Sequence, residues 1–242
     1  MTDSGFAFMI TAAQKVALRA RGFDDADIER MVPEDAHRIL LTPDEHAVRG
    51  FLEAFVALAI SSLDGRPPPG LLQVCHKAPD DNDVIPVRYR LDEPGLVDHL
   101  THDAMVASGA KLNTYIEGRL LRAGLRDKKR GELADTSCVF ALTVDSDADK
   151  GMGWDPPADV RPTLTVETSP GNAQYWFFFE RALSPVRAQR LGDDLRRITG
   201  GDSDTGNPCQ PYRIGGTTNY PSKMKTARGR IVTPTLFLGA MS

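Results

Sequence analysis

Residues 139–154 read VFALTVDSDADKGMGW, an apolar run that ends in aspartates at alternate positions. In a β-strand, residues i and i+2 face the same side of the sheet, so the side chains of Asp145 and Asp147 are predicted to be neighbours. Without partners, these carboxylates would repel each other and raise each other's pKa. One or two divalent cations remove that repulsion, and hard cations prefer oxygen ligands. The segment therefore predicts either a solvated turn or a cation site at the end of a core strand.

The letters DSDADKG also fit part of a calcium-binding EF-hand loop, and this interpretation is rejected. Counted from Asp145, the position that requires glycine is Lys150, and the position that requires glutamate is Pro156. A β-branched strand also precedes the segment, where an EF-hand has a helix.

The composition excludes several functional classes. The three cysteines, Cys75, Cys138 and Cys209, contain no CxxC pair, which excludes a zinc ribbon and predicts a reducing, cytoplasmic location. The start of the chain does not predict a signal peptide, and the longest apolar stretch, residues 51–60, is about half of the ~20 residues that span a membrane. No GxxxxGK[ST] motif is present, so the chain is not a P-loop ATPase.

The order of periodic segments predicts an α+β fold. Residues 10–41 read as three short helices that form a small module, and a further helix is predicted to begin at Thr42. Strands and helices then follow without a strict βαβ alternation. We therefore expect a helical module over residues 1–42 and a larger α+β domain over residues 43–242.

Two further segments carry polar groups that could bind phosphate. In TVETSPGNAQYWFFFE, Pro170 and Gly171 fit a type II turn, and the hairpin tip presents Ser169, Asn172 and Gln174. The polar loop over residues 200–225 offers the carboxylates and basic side chains Asp202, Asp204, Arg213, Lys223 and Lys225.

Two basic runs interrupt an acidic chain whose net charge is −4. RLLRAGLRDKKR, residues 119–130, has six basic residues and one acid, and KMKTARGR, residues 223–230, has four basic residues and no acid. Either run is typical of a solvated surface. Beside an acidic pocket that holds metal ions, the two runs could instead bind a polyanion such as a nucleic acid.

Taken together, residues from about 44 to 238 resemble the RepB-type primase domains of plasmids and phages, within the archaeo-eukaryotic primase superfamily. The resemblance rests on GLLQV, NTYIEGRLLRAGL, FALTVDSDADKG, VETSPGNAQYWFF and TGNPCQPYRIGGTTNYPSK, in family order. It implies an RRM-like catalytic core with a mixed or antiparallel sheet. It also implies polymerisation of nucleoside triphosphates on a single-stranded DNA template with Mg²⁺ or Mn²⁺. A front module similar to ubiquitin-associated domains recurs before such cores.

The resemblance also implies roles for individual residues. The metal-binding and catalytic carboxylates would be Asp145, Asp147 and Asp202, with Asp204 as the alternative third carboxylate. The incoming nucleotide would be bound by Ser169, Asn172, Gln174, Arg213, Thr217, Asn219 and Lys223. Template phosphates would be bound by Arg122, Arg126, Lys128, Lys129, Arg130 and Lys225.

One feature departs from the superfamily pattern, and it keeps alternatives open. The second motif usually carries a histidine that contacts the nucleotide phosphates, and Gln174 lies nearest that place here. An amide can donate a hydrogen bond but cannot carry the charge of an imidazolium. The alternatives to a primase are an origin- or single-stranded-DNA-binding module without activity and a metal-dependent nuclease that uses the same carboxylates. A primase could be fused to, or act with, a replicative helicase.

Overall fold

The structure is a computed structural model that describes residues 9–126 and 129–240. The helices are α1 (Ala12–Ala20), α2 (Asp25–Arg30), α3 (Pro33–Leu41), α4 (Glu45–Ser61), α5 (Leu96–Gly109), α6 (Pro185–Thr199) and α7 (Lys223–Ala227). The strands are β1 (Leu71–Lys77), β2 (Ile85–Arg90), β3 (Asn113–Leu121), β4 (Thr136–Asp147), β5 (Leu164–Ser169), β6 (Asn172–Leu183), β7 (Tyr212–Arg213), β8 (Thr218–Asn219), β9 (Thr233–Pro234) and β10 (Leu236–Ala240). Within the described ranges, no helix is long and apolar enough to cross a bilayer.

The three predicted N-terminal helices are present. The Thr11 side chain caps α1, the Asp24 side chain caps α2, and Pro33 occupies the first turn of α3, where its missing N–H costs nothing. Leu18, Ile28 and further apolar side chains of these helices form a separate hydrophobic cluster. The boundary between residues 42 and 43 stays a prediction, because Leu236 of β10 also packs against that cluster.

The start of the fourth helix corrects the sequence prediction. We expected it to begin at Thr42, but α4 begins at Glu45, and Thr42 ends the preceding helix. The reason is local, since the side chain of Asp44 accepts a hydrogen bond of 3.1 Å from the backbone N–H of Ala47. That bond satisfies a backbone donor that the first turn of a helix leaves free.

The α+β prediction is confirmed, and the large sheet is antiparallel in every strand pair that is described. Its strand order is β10-β5-β6-β4-β3-β1-β2, and β7 adds to β3. Helices α4 and α5 cover one face, where Phe55 packs edge-to-face on Phe140 and Trp176. Helix α6 covers part of the other face, where Ala188 and Leu195 pack against β4.

The two central strands, β3 and β4, separate part-way along their length. They pair with each other only between Arg119–Leu121 and the first residues of β4. Beyond that point β4 pairs with β6 alone on one side, while Tyr115 and Ile116 of β3 pair with β7. The chain between α6 and β7 enters the gap that this separation leaves.

Candidate active site

Asp145 and Asp147 lie at the end of β4 on the same face of the sheet, as their spacing predicts. In register with β6, Asp145 is opposite Gln174 and Asp147 is opposite Asn172. Asp147 is buried, and Asp145 is partly buried. The end of a core strand thus carries two carboxylates with little access to water, which is unfavourable unless positive charge compensates them.

The loop after α6 is tied to β4 by main-chain and side-chain hydrogen bonds. The backbone N–H of Gly206 donates to the carbonyl of Thr143 at 2.8 Å. The backbone N–H of Asp145 donates to the hydroxyl of the fully buried Thr205 at 3.2 Å. These bonds replace the pairing that β3 does not provide, and they bring the carboxylates of residues 202 and 204 to the end of β4.

The loop also needs a close approach between two glycines. A Cβ atom on Gly192 of α6 would lie 1.8 Å from the carbonyl oxygen of Gly206, and Gly206 itself has φ +70°. Only glycine fits both requirements, because L-residues with a side chain clash there or rarely adopt that φ. The position of the loop therefore depends on the backbone contact between α6 and residue 206.

Asp202 and Asp147 contact the same cation, the ammonium of Lys150. Lys150 Nζ forms an ion pair with Asp147 Oδ2 and lies 3.3 Å from Asp202 Oδ2. The predicted third carboxylate is therefore close enough to the strand pair to share a positive charge with it. A wide separation between Asp147 and Asp202 would have ruled out a shared cation site, but both carboxylates contact the same ammonium.

Arg230 supplies the second positive charge at this end of the sheet. Its guanidinium forms an ion pair with Asp149 and lies 3.7 Å from Asp147 Oδ1. The Arg230 Nε also donates to Asp149 Oδ2 at 2.6 Å. Asp147, Asp149 and Asp202 thus have basic partners, Lys150 and Arg230, that the sequence analysis did not select as site residues.

The electrostatics of the cluster follow from burial and from like charges. Burial first, and then the charge of Asp147, raise the pKa of Asp145 to about 6. Burial and the neighbouring Asp202 raise the pKa of Asp204 as well. Burial acts to lower the pKa of Lys150, but its bonds to Asp147 and Asp202 outweigh burial and raise it. Positive charge close to these carboxylates is therefore strongly favoured.

The donor set fits a hard divalent cation in chemistry, although the carboxylates are now arranged around basic side chains. Within residues 9–126 and 129–240, no group of three or more His, Cys, Asp or Glu side chains is positioned to hold a metal ion. All the candidate ligands are carboxylate oxygens, which Mg²⁺ and Mn²⁺ prefer and which form no zinc site of the usual nitrogen and sulfur type.

Gln174 is held at both ends of its amide. Its Nε2 donates to Asp145 Oδ1 at 3.2 Å, and its Oε1 accepts from the backbone N–H of Arg213 at 2.9 Å. The side chain is buried. At the position where the resemblance implies a histidine, this chain therefore has a neutral group that joins a carboxylate to β7.

A pocket of about 320 Å³ is lined by Asp149 and by Arg230, which also contacts Asp147. Its walls carry the predicted nucleotide-binding residues Ser169, Asn172 and Asn219, together with Arg228 and Arg230. Asn172 Nδ2 donates to the Ser169 hydroxyl at 2.8 Å, and Asn219 Nδ2 donates to the carbonyl of Thr168 at 2.8 Å. The hairpin tip, β8 and the basic segment after α7 therefore meet at one cavity.

Basic side chains converge on the same region. Arg213 is buried, donates to Asn113 Oδ1 at 2.7 Å and lies over the ring of Tyr115. Burial lowers the pKa of Lys225, and the nearby charges of Arg230, Arg213 and Lys150 lower it further. A partly buried lysine among three other cations forms a strong attraction for an anion.

A comparison with known protein families assigns the chain to one of them. The sequence profile of the RepB DNA-primase N-terminal domain matches residues 81–237, which is more than half of the chain. The chain belongs to this family. The resemblance proposed from the sequence motifs is thereby confirmed.

Solved structures of primases are also similar to this RepB-family primase domain. The AEP domain of the primase-polymerase of cyanophage S-2L is 15% identical, with a TM-score of 0.49 over 77% of this chain and 89% of that chain. The crystal structure of primase RepB′ is 15% identical, with a TM-score of 0.48 over 78% of this chain and 56% of that chain. The catalytic domain of RepB′ in complex with initiator DNA is 15% identical, with a TM-score of 0.46 over 79% of this chain and 85% of that chain. A comparison with curated proteins gives no significant match.

Two predicted nucleotide ligands of the primase domain have other roles in the structure. Thr217 is fully buried, and its hydroxyl donates to the carbonyl of Ile214 at 2.7 Å. Lys223 is exposed, and its ammonium lies 3.8 Å from Asp80 Oδ2. Their contact with a nucleotide stays a prediction, and their packing gives it no support.

The predicted template-binding loop of the primase domain divides into exposed and paired residues. Arg122 and Arg126 are exposed, whereas Lys129 forms an ion pair with Asp135 at 3.2 Å and Arg130 lies 3.5 Å from Glu117. Lys128 lies outside the described residues. Arg119, at the start of the same basic run, is fully buried and so does not belong to a solvated surface.

Lys150 and Arg230 are the site residues that sequence reasoning missed. Lys150 follows Asp147 by three residues in DADKG, and this spacing brings its side chain back over Asp147 through a 3-10 turn. The three-residue spacing between Asp147 and Lys150 is visible in the sequence and could have indicated this ion pair. Arg230 was visible only as a member of a basic run, and no local pattern connects it with Asp149, which lies 81 residues earlier.

Proposed function

We propose that this RepB-family domain is a metal-dependent nucleotidyltransferase that makes primers on single-stranded DNA during replication of a plasmid, phage or other mobile element. The observation that carries the proposal is the convergence of β4 and the loop after α6. Asp147 and Asp202 share one cation there, beside a pocket lined by basic and amide side chains. Carboxylates next to an anion-binding pocket are the arrangement that phosphoryl transfer requires.

Asp145, Asp147 and Asp202 would hold Mg²⁺ or Mn²⁺, with Asp204 as the alternative to Asp202. The bound metal would supply positive charge that lowers the energy of the attacking 3′-hydroxyl oxygen and of the leaving pyrophosphate. The raised pKa of Asp145 supports this assignment. Burial and the neighbouring carboxylates disfavour its ionised form, and a bound cation would stabilise that form.

The basic side chains of the pocket would bind the triphosphate of the incoming nucleotide. Arg213 and Lys225 lie close together, and Arg228 and Arg230 line the cavity. Such preorganised donors stabilise the negative charge that develops on the phosphates. Ser169, Asn172 and Asn219 would contribute neutral hydrogen bonds at the same cavity, with Thr217 and Lys223 as weaker candidates.

Gln174 would orient Asp145 rather than carry charge to the phosphates. Its amide joins the carboxylate to the backbone of Arg213, so the metal-binding and phosphate-binding sides of the site move together. This role differs from that of an imidazolium, which can donate its proton and its charge to a phosphate oxygen.

The exposed part of the basic loop would bind the phosphates of a single-stranded DNA template. Arg122 and Arg126 are free of the core, whereas Lys129 and Arg130 are engaged with acidic side chains and would contribute less. Lys128 and Lys225 remain candidates for the same role. A replicative helicase, fused to the domain or acting with it, is part of the proposal.

The test is primer synthesis on unprimed single-stranded DNA with Mg²⁺ or Mn²⁺ and mixed nucleotides. Asp145→Asn and Asp147→Asn should each lower nucleotide incorporation by at least about a hundredfold, because both remove a ligand charge at the reacting phosphate. The exposed Asp159→Asn is the matched control and should leave incorporation unchanged.

The same variants separate the alternatives. Cleavage of a labelled single strand with Mn²⁺ and without nucleotides, abolished by Asp145→Asn, would identify a nuclease instead. Wild-type protein that binds single-stranded DNA but gives no product with any nucleotide mixture would identify a binding module. Either result would overturn the primase proposal.

A further inference from the structure

The ammonium of Lys150 occupies the space between two carboxylates that the proposed metals would share. Its Nζ pairs with Asp147 Oδ2 and lies 3.3 Å from Asp202 Oδ2. The 3-10 turn Ala148–Lys150 directly follows Asp147. Backbone bonds in both directions between Asp147 and Met152 close this turn on itself, so that Lys150 is directed back over the strand end.

We propose that Lys150 is an internal counter-ion that a divalent cation displaces when it binds. This inference rests on the proposed metal-dependent function and adds to it a residue that controls metal access. A Mg²⁺ ion binds carboxylate oxygens at about 2.0–2.1 Å, which leaves no room for an ammonium between the same two oxygens. Since the two cations also repel each other, Lys150 and the metal cannot occupy the gap together.

The surroundings of the two basic residues show which of them can leave. The Lys150 side chain is 43% exposed, so its ammonium can return to water without movement of the backbone. Arg230 is 23% exposed and is held by two contacts to Asp149, while its distance to Asp147 is 3.7 Å. Displacement therefore involves Lys150, and Arg230 stays in place beside the pocket.

Displacement has a thermodynamic consequence for metal affinity. The protein can bind the metal only in the fraction of molecules whose gap is free, so the apparent dissociation constant is raised by the occupancy of Lys150. Lys150→Met keeps much of the side-chain volume but removes the charge. It should bind Mn²⁺ roughly tenfold or more tightly than the wild type. Without metal, the same variant should unfold at a lower temperature, because the carboxylates lose their counter-ion.

The test combines Mn²⁺ titration by calorimetry with amine-reactive labelling read by mass spectrometry. In the wild type, labelling of Lys150 should rise several-fold at saturating Mn²⁺, relative to the exposed Lys111 in the same molecule. Lys111→Met is the control variant and should bind Mn²⁺ as the wild type does. The labelling arm needs no variant, and Lys150→Gln replaces Lys150→Met if the latter does not fold.

The outcomes distinguish the inference from the proposed function. If the wild type binds Mn²⁺ while Lys150 labelling stays constant, or if Lys150→Met binds no tighter, the counter-ion role is wrong and the primase proposal stands. If neither the wild type nor Lys150→Met binds Mn²⁺ or Mg²⁺, both proposals are overturned. A role for Lys150 that is merely structural would change stability but not the metal-dependent labelling.

Discussion

Two neighbouring strands carry pairs of charged residues at the same i, i+2 spacing, with opposite results. On β3, Glu117 and Arg119 are both fully buried and form an ion pair of 2.8 Å. On β4, Asp145 and Asp147 have the same sign and repel each other. The spacing places both members of each pair on one face, so the difference lies in the charges and in what surrounds them.

The β3 pair is satisfied by its own network. Arg119 Nη1 donates to Thr136 Oγ1 at 2.7 Å and to the carbonyl of Glu132 at 3.1 Å, and Nη2 donates to the carbonyl of Gly131 at 3.0 Å. These bonds fasten the end of the basic loop to the start of β4. Burial raises the pKa of Glu117, and Arg119 opposes this effect. The buried carboxylate of Glu117 and its opposite charge thus both lie inside the protein, together with the hydrogen-bond acceptors of Arg119.

The β4 pair depends on groups that can exchange. Lys150 and Arg230 contact Asp147 of this pair from outside the strand, and Lys150 remains partly exposed. A buried ion pair destabilises the fold when one partner is removed, whereas buried like charges that lack fixed partners attract a ligand. The two strands therefore separate a structural use of charge from a functional one, and substitutions should affect them in opposite directions.

The largest effect on stability is expected at Arg119. Arg119→Met leaves Glu117 buried with the longer contact to Arg130 and a weak one from the Cys75 thiol, so the free energy of unfolding should fall by about 3–5 kcal/mol. Urea denaturation measures this loss. The double variant Glu117→Met/Arg119→Met removes both charges and should recover most of it. A loss below about 1 kcal/mol in the single variant would contradict a structural role for the β3 pair.

The sequence predicted the fold better than the site because most elements depend on local signals. Asp24 and Pro33 begin helices where expected, and Gly171 takes a positive φ of 78° at the predicted hairpin turn. The strand pair Asp145 and Asp147 also follows from local spacing. The position of Asp202 could not be read locally, because it depends on a hydrogen bond between Thr205 and Asp145 across 60 residues.

The burial of Arg119 was likewise beyond local reading. In the sequence it is the first residue of a basic run that resembles a solvated surface. Its partners come from residue 117 on the same strand, from residues 131–136, and from Cys209 in the distant loop. Only the assembled sheet brings these groups together, so the sequence could not separate Arg119 from the exposed Arg122 and Arg126.

A second substitution tests whether the loop after α6 is what makes β4 a functional strand. Gly192→Ala places a Cβ 1.8 Å from the Gly206 carbonyl oxygen, so the loop that carries Asp202 must shift. The free energy of unfolding should fall by about 1–3 kcal/mol, and primer synthesis should fall with it.

The matched control for this substitution is Gly50→Ala in α4, where a Cβ would meet nothing within 4 Å. That variant should gain about 0.5–1 kcal/mol, since alanine is the better helix former. Thermal unfolding and nucleotide incorporation are measured for both. Equal behaviour of the two variants would show that the glycine contact does not position the loop.

A pH series tests whether the charge of Asp145 on β4 destabilises the folded protein. The folded-state pKa of Asp145 is about 6, raised by burial and then by Asp147, from an ordinary value of 3.8. The metal-free protein therefore loses stability as pH rises from about 4 through 6, because the folded state must release a proton that the unfolded state has already released. Asp145→Asn lacks this loss.

The free energy of unfolding of Asp145→Asn, relative to that of the wild type, should thus increase with pH and level off above about pH 7. The plateau should be on the order of 1 kcal/mol after allowance for the partial exposure of the carboxylate. Melting temperatures in a chelating buffer measure the difference. A difference that is constant from pH 4 to 7 would show that Asp145 is not held as an uncompensated charge.

The smallest effect is expected at the exposed end of the basic run, where it sharpens the contrast with Arg119. Arg126 is exposed, and its backbone carbonyl accepts from Arg88 of β2, so Arg126→Gln should leave stability nearly unchanged. If Arg126 contacts a template phosphate, its loss should reduce the slope of log K against log salt for single-stranded DNA by about 0.7. Fluorescence anisotropy at several salt concentrations measures this slope.

Arg181→Gln on β6, an exposed arginine outside the basic run, should leave the slope as it is. An unchanged slope for Arg126→Gln would show that Arg126 does not contact the template. The basic run would then have only the structural role that Arg119 shows.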